Sequence, residues 1–103
     1  MTVKLEMFIA NVPEVQIADA LTHHLDGFHM ESGVGYWQGV GEMSTHVTVV
    51  GNFDQQAVLA TVTELATRVH DEDSILYVVT NEHGLFARTA TYEPDGRVRT
   101  EPV

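Results

Sequence analysis

Tyr36, Trp37 and Glu42 are the side chains of this 103-residue chain best suited to chemistry. They share one stretch, Asp26 to Ser44 (DGFHMESGVGYWQGVGEMS), with four glycines at 33, 35, 39 and 41. Aromatic faces attract a cation, and a carboxylate beside them accepts its hydrogen-bond donors, so the combination suits a cationic, partly apolar ligand. Glycine lets the backbone take positive φ angles or lie close against a ligand. The stretch therefore reads as a binding loop on a small scaffold. The plainer alternative is a long β-hairpin with a glycine-loosened tip, in which Trp37 is a core or interface anchor and Glu42 an exposed strand end.

Other reactive chemistries find little support. Of the six histidines, His23 and His24 are adjacent near a helix end, where they are expected to point in different directions and to favour the negative end of the helix dipole. His29, His46, His70 and His83 are scattered. No HxH, HxxxH or His-carboxylate spacing appears, so no metal site is expected. The absence of cysteine excludes disulfides and thiolate nucleophiles, and Ser32, Ser44 and Ser74 lack an evident base. The glycines continue into a strand-like run, leaving no helix N-terminus to receive a phosphate. No cofactor is expected.

Five Lys/Arg against fifteen Asp/Glu give a net charge of −10. A field of that sign repels phosphate backbones and mildly favours cationic ligands, which argues against nucleic acid as a partner. Acidity also serves solubility, and a DNA-mimicking inhibitor would be acidic too, although the acids here are scattered rather than clustered. With 44% apolar residues, the chain fits a single domain, residues 1–103, with a thin core that oligomerisation would supplement. No apolar run approaches a membrane span or a signal h-region, so no membrane association and a cytoplasmic location are expected.

The elements that must position these residues follow from periodicity. Residues 3–10 (VKLEMFIA) read as a strand closed by Asn11-Val12-Pro13. Asn11 is expected to cap a helix whose stripe is Val15, Ala18, Leu21 and Leu25, stopped by Asp26-Gly27. Residues 28–38 and 45–50 read as the next two strands. Asn52 or Asp54 is expected to cap a second helix with Val58, Leu59, Val62, Leu65, Ala66 and Val69 on one face. Asp71-Glu72-Asp73 breaks that pattern, residues 74–80 (SILYVVT) form a strand, and residues 85–92 an edge strand. Asp95-Gly96 signals a hairpin returning over residues 97–100. The order βαββαβ plus a C-terminal β-hairpin predicts an α+β, ferredoxin-like sandwich. Its open sheet face would carry apolar surface.

The pattern Gly35-Tyr-Trp-Gln-Gly39-x-x-Glu42-x-Ser44, the β-rich run to Val50, the helix from Asp54, Asp73-Ser-Ile-Leu-Tyr-Val and His83-Gly-Leu-Phe resembles the phage-encoded S-adenosylmethionine lyases over residues 15 to 96. The chain is also similar to a small family of unknown function with a DGF…GxGxW motif, matched by Asp26-Gly27-Phe28 and Gly33-x-Gly35-x-Trp37. The lyase resemblance implies a PII-like homotrimer that destroys the host's methyl donor in its cytoplasm and so blunts methylation-dependent restriction. It implies Tyr36 and Glu42 as catalytic residues at a subunit interface, although strict alignment of the glycines puts Trp37 in the tyrosine's place. It further implies substrate binding by Phe28, Gly35, Trp37 and Ser44, with Trp37 or Phe28 stacking on adenine. In the implied reaction the substrate's own carboxylate attacks its γ-carbon and expels methylthioadenosine, leaving homoserine lactone, with no metal or cofactor. The alternative is a non-catalytic PII-like trimer that binds a small ligand or a protein through the same segment. A third reading, an acidic inhibitor of a nucleic-acid-binding enzyme, rests on charge alone.

Overall fold

The computed structural model describes residues 2–69 and 74–103, with the backbone alone at Trp37; His70 and the Asp71-Glu72-Asp73 break lie outside the described residues. The elements are β1 (Val3–Ala10), α1 (Glu14–Thr22), β2 (His29–Trp37), β3 (Val40–Gly51), α2 (Gln55–Ala66), β4 (Ser74–Asn81), β5 (Gly84–Tyr92) and β6 (Val98–Pro102). They form one sheet in the order β2-β3-β1-β4-β5-β6, antiparallel throughout. The first four strands and two helices are the ferredoxin-like α+β arrangement. β5 and β6 widen the sheet beyond β4, so β5 is an inner strand rather than the expected edge.

Alternation along the central strand sorts the two faces. Val3, Leu5, Met7 and Ile9 of β1 are buried. Opposite them stand Val49, Val47 and Thr45 of β3, and Val79 and Tyr77 of β4. The two helices close this face. α1 contributes Ile17, Ala20 and Leu21, and α2 contributes Val58, Thr61, Val62, Leu65 and Ala66. Full burial of each aliphatic side chain is worth about 1.5–3 kcal/mol, and the buried Thr61 hydroxyl is satisfied by the Ala57 carbonyl at 2.7 Å.

Both helix starts refine the sequence reading. Asp54 caps α2, its Oδ1 accepting from the Ala57 N–H at 2.9 Å. Asn11 does not cap α1: it takes φ 59° and donates its N–H to the Met43 carbonyl at 2.9 Å, a left-handed conformation that asparagine tolerates better than most residues. The N-cap position falls to Pro13, which has no side-chain acceptor. The buried stripe of α1 is correspondingly Ile17, Ala20 and Leu21, whereas Val15 is 73% exposed. Leu59 of α2 is also exposed, on the flank of its stripe.

The sheet face away from the helices is mixed rather than apolar. Lys4, Glu6 and Phe8 of β1 stand beside Val50, Thr48 and His46 of β3 and beside Thr80, Val78 and Leu76 of β4. His46 Nε2 lies 3.0 Å from Glu6 Oε2, and its ring stacks on Phe8 at 4.5 Å.

Candidate functional site

The glycine-rich stretch is a β-hairpin. β2 and β3 pair from His29↔Thr48 to Trp37↔Val40. Gln38 (φ 51°) and Gly39 (φ 81°) make the turn, the double positive φ of a type I′ connection, whose twist matches that of the strands. The plainer of the two sequence readings therefore describes the backbone, and the hairpin carries the candidate residues on a rigid ladder.

The ladder decides which side chains meet. Glu42 stands opposite Gly35, and Ser44 opposite Gly33. A Cβ built on Gly35 would lie 3.3 Å from Ser44 Cβ and 3.6 Å from its Oγ. Gly35, Glu42 and Ser44 thus share the open face, where Ser44 stands so close to Gly35 that any side chain there would press on it. Tyr36 stands opposite Gly41 on the helix side of the sheet. A Cβ on Gly41 would meet the Tyr36 ring and Val34 Cγ1, both at 3.3 Å. Tyr36 is 76% exposed. Within one chain Tyr36 and Glu42 therefore point to opposite faces. Trp37 pairs with Val40 through its backbone; its side chain lies outside the described residues. Phe28 precedes β2 and packs against the core beside Met30. It lies seven residues from Gly35, about 23 Å at roughly 3.3 Å per residue, so the hairpin does not bring it to Glu42.

Glu42 is half-buried and makes no hydrogen bond or ion pair among the described residues. Asp26, exposed after α1, likewise makes no hydrogen bond or ion pair among the described residues. The other described carboxylates are engaged: Glu6 by Lys4 and His46, Glu14 by Ser32, Asp19 by Arg68, Glu31 by His29, and Asp54 by its cap. Glu64 accepts from His23, His24 and Arg68, Glu82 faces His83, Arg99 pairs with Glu93 and Glu101, and Asp95 with Arg97. Glu42 is thus a partly desolvated carboxylate to which the described residues supply no cation.

His23 and His24 do not diverge. Helix α1 ends at Thr22, and both rings turn onto Glu64 of α2, at 2.7 and 2.9 Å. Burial pushes the Glu64 carboxyl up, but the hydrogen bonds and charges of the two histidines outweigh it and hold the group below its ordinary value. Among the described residues no group of three or more His, Asp or Glu is placed to hold a metal. The Glu31–His29 pair was open to sequence reasoning, because residues two apart on a strand share a face. The Glu6–His46 and Glu64–His24 pairs join residues forty positions apart and carried no local signal.

No protein-family model matches the chain, and no curated protein does. Among solved structures it is similar to a phage SAM lyase in its apo state, over 98% of this chain and 89% of that one, with a TM-score of 0.53 and 15% sequence identity. That likeness speaks for the shared α+β fold.

Proposed function

We propose that the chain is a carbon–sulfur lyase acting on S-adenosylmethionine, an activity with which a phage would blunt methylation-dependent restriction. The observation that carries the reading is Glu42, half-buried, unpartnered among the described residues and standing opposite Gly35, which carries no side chain. The likeness in fold to a phage SAM lyase and the resemblance of the Gly35–Ser44 pattern to that family support it.

The substrate is a sulfonium cation with a carboxylate of its own. Glu42 draws the cationic end onto the open face, Gly35 puts no side chain opposite it, and Ser44 offers a hydroxyl beside it. Attack of the substrate carboxylate oxygen on its γ-carbon forms one C–O bond and breaks one C–S bond, the bonding pair leaving with sulfur. Methylthioadenosine and homoserine lactone result without an added proton, metal or cofactor. What the protein must supply is a folded substrate chain, and held geometry of this kind contributes several kcal/mol. Tyr36 orients the reacting groups, and because it points away from Glu42 within one chain, a site using both draws them from different copies. We assign that site to a homotrimer whose contacts cover Phe8, Leu76, Val78 and other apolar parts of the open face.

Incubation with S-adenosylmethionine and chromatography of the products tests the activity. Methylthioadenosine is expected, and intact substrate after prolonged incubation refutes a lyase. One observation favours a second reading, the non-catalytic binding module: the register keeps the Tyr36 hydroxyl off Glu42's face. Intact S-adenosylmethionine bound with measurable affinity is the result that selects it. Light scattering tests assembly, with three times the 11.4 kDa chain mass expected.

A further inference from the structure

Two helices, each about 10 Å across, cover roughly four strands spaced about 4.8 Å apart, and this sheet has six. α2 covers the far end of β5, where Ala90 is fully buried, but on the same side of the strand Phe86, near its start, is 50% exposed. A cavity of about 820 Å³ opens there, between the start of α2 and strands β4 to β6. That size is typical of small-molecule sites. Phe53, Leu59, Tyr77 and Phe86 supply apolar and aromatic wall, and Arg88 supplies a guanidinium.

Among the described residues Arg88 is set apart by its lack of a counter-ion. The chain has five Lys/Arg, and the other four are paired: Lys4 with Glu6, Arg68 with Asp19 and Glu64, Arg97 with Asp95, and Arg99 with Glu93 and Glu101. Arg88 has no ion pair among the described residues, in a molecule of net charge −10. Its cross-strand neighbour is Tyr77, so a cation and a nearly buried aromatic ring stand side by side in the cavity. An arginine fork matches a carboxylate bidentately. The carboxylate present in the wall, Asp54, is occupied as the cap of α2, accepting from Ala57, and its charge disfavours a dianion.

We propose that this cavity binds a flat, apolar monocarboxylate, its rings against Phe53, Tyr77 and Phe86 and its carboxylate on Arg88. The site lies on the helix side of the sheet, away from Glu42, and is independent of the lyase reading. Isothermal titration of the full chain with naphthalene-2-carboxylate, and with the neutral naphthalene-2-carboxamide, tests it. The carboxylate is expected to bind about ten- to a hundredfold more tightly than the amide, the worth of a charge-assisted hydrogen bond. Arg88→Gln is expected to bring the two probes to equal affinity, Phe86→Ala to weaken both, and Glu42→Gln to change neither. Melting followed by circular dichroism confirms that the variants fold, and the carboxylate–amide comparison on the unaltered protein decides without them. No saturable binding of either probe, equal affinities on the unaltered protein, or a preference that survives Arg88→Gln overturns the proposal.

Discussion

Replacing Glu42 with glutamine removes a charge while keeping size and hydrogen-bonding capacity, and its two consequences should separate cleanly. Stability should hardly change. Glu42 has no partner in the chain to lose, and two like charges 10 Å apart in water repel by only about 0.4 kcal/mol before salt screens them. Relief of one negative charge out of a net −10 should therefore move the folding free energy by no more than about 0.5 kcal/mol, or roughly 2–4 °C in melting temperature for a chain of this size. Binding of a cationic ligand should fall much further. One charge-assisted contact is worth about 1.5–3 kcal/mol, which is roughly ten- to a hundredfold in affinity. Titration with S-adenosylmethionine, or chromatography of methylthioadenosine, reads the second effect, and circular dichroism the first. Glu31→Gln is the matched control: it makes the same charge change on the same face of the sheet, from β2, but at an exposed carboxylate already paired with His29. Equal losses in the two variants would mean that the overall field attracts the ligand rather than Glu42 itself. Unchanged binding in Glu42→Gln would remove Glu42 from the site altogether.

Three further outcomes follow from particular contacts. Because the folded Glu64 carboxyl is held below its ordinary value of 4.5, its contribution to stability is present above that pH and lost as pH falls through the folded value; melting temperatures measured down the acid range should drop more steeply for the unaltered protein than for Glu64→Gln. Asp54→Ala leaves the Ala57 N–H of α2 without its cap and should cost about 1 kcal/mol in chemical denaturation, within a usual range of about 0.5–2. Burial pushes the Tyr77 hydroxyl up and the Arg88 charge partly offsets it, so Arg88→Gln should raise Tyr77 further, seen by ultraviolet difference titration as a tyrosine ionising at higher pH than in the unaltered protein.

Much of the fold was legible because each half-buried strand and helix carries its own period. Leu5, Met7 and Ile9 alternate, Val58, Val62 and Leu65 recur at helical spacing, and Asp95-Gly96 marks a turn, which closes with the Glu93 N–H on the Arg97 carbonyl at 2.8 Å. The start of α1 was misread because asparagine fits a left-handed bend as readily as a cap, and local sequence does not choose between them. The hairpin posed the same difficulty in sharper form. Every pairing from Gly33↔Ser44 to Trp37↔Val40 follows once the turn is known to be Gln38-Gly39, yet Gln-Gly is a weaker signal than Asn-Gly or Asp-Gly. Moving the turn by one residue would have changed which side chains stand opposite each other. The cavity at Arg88 had no local signal, since its walls come from α2, β4 and β5 and from the loop bearing Phe53.

The register also separates two things a lyase must do. On the proposed reading, capture of a sulfonium needs only a carboxylate, and Gly35, Glu42 and Ser44 of one chain would be its whole site. Turnover that enlists the Tyr36 hydroxyl beside Glu42 would need a second copy, because Tyr36 stands opposite Gly41 and so on the other face from Glu42. The substrate brings its own nucleophile and its own leaving group, so positioning is what the second copy adds. Affinity should accordingly persist at concentrations where copies dissociate, while turnover declines with them. A monomeric protein that still turned over at full rate would place the chemistry wholly on the open face and leave Tyr36 without a part in it.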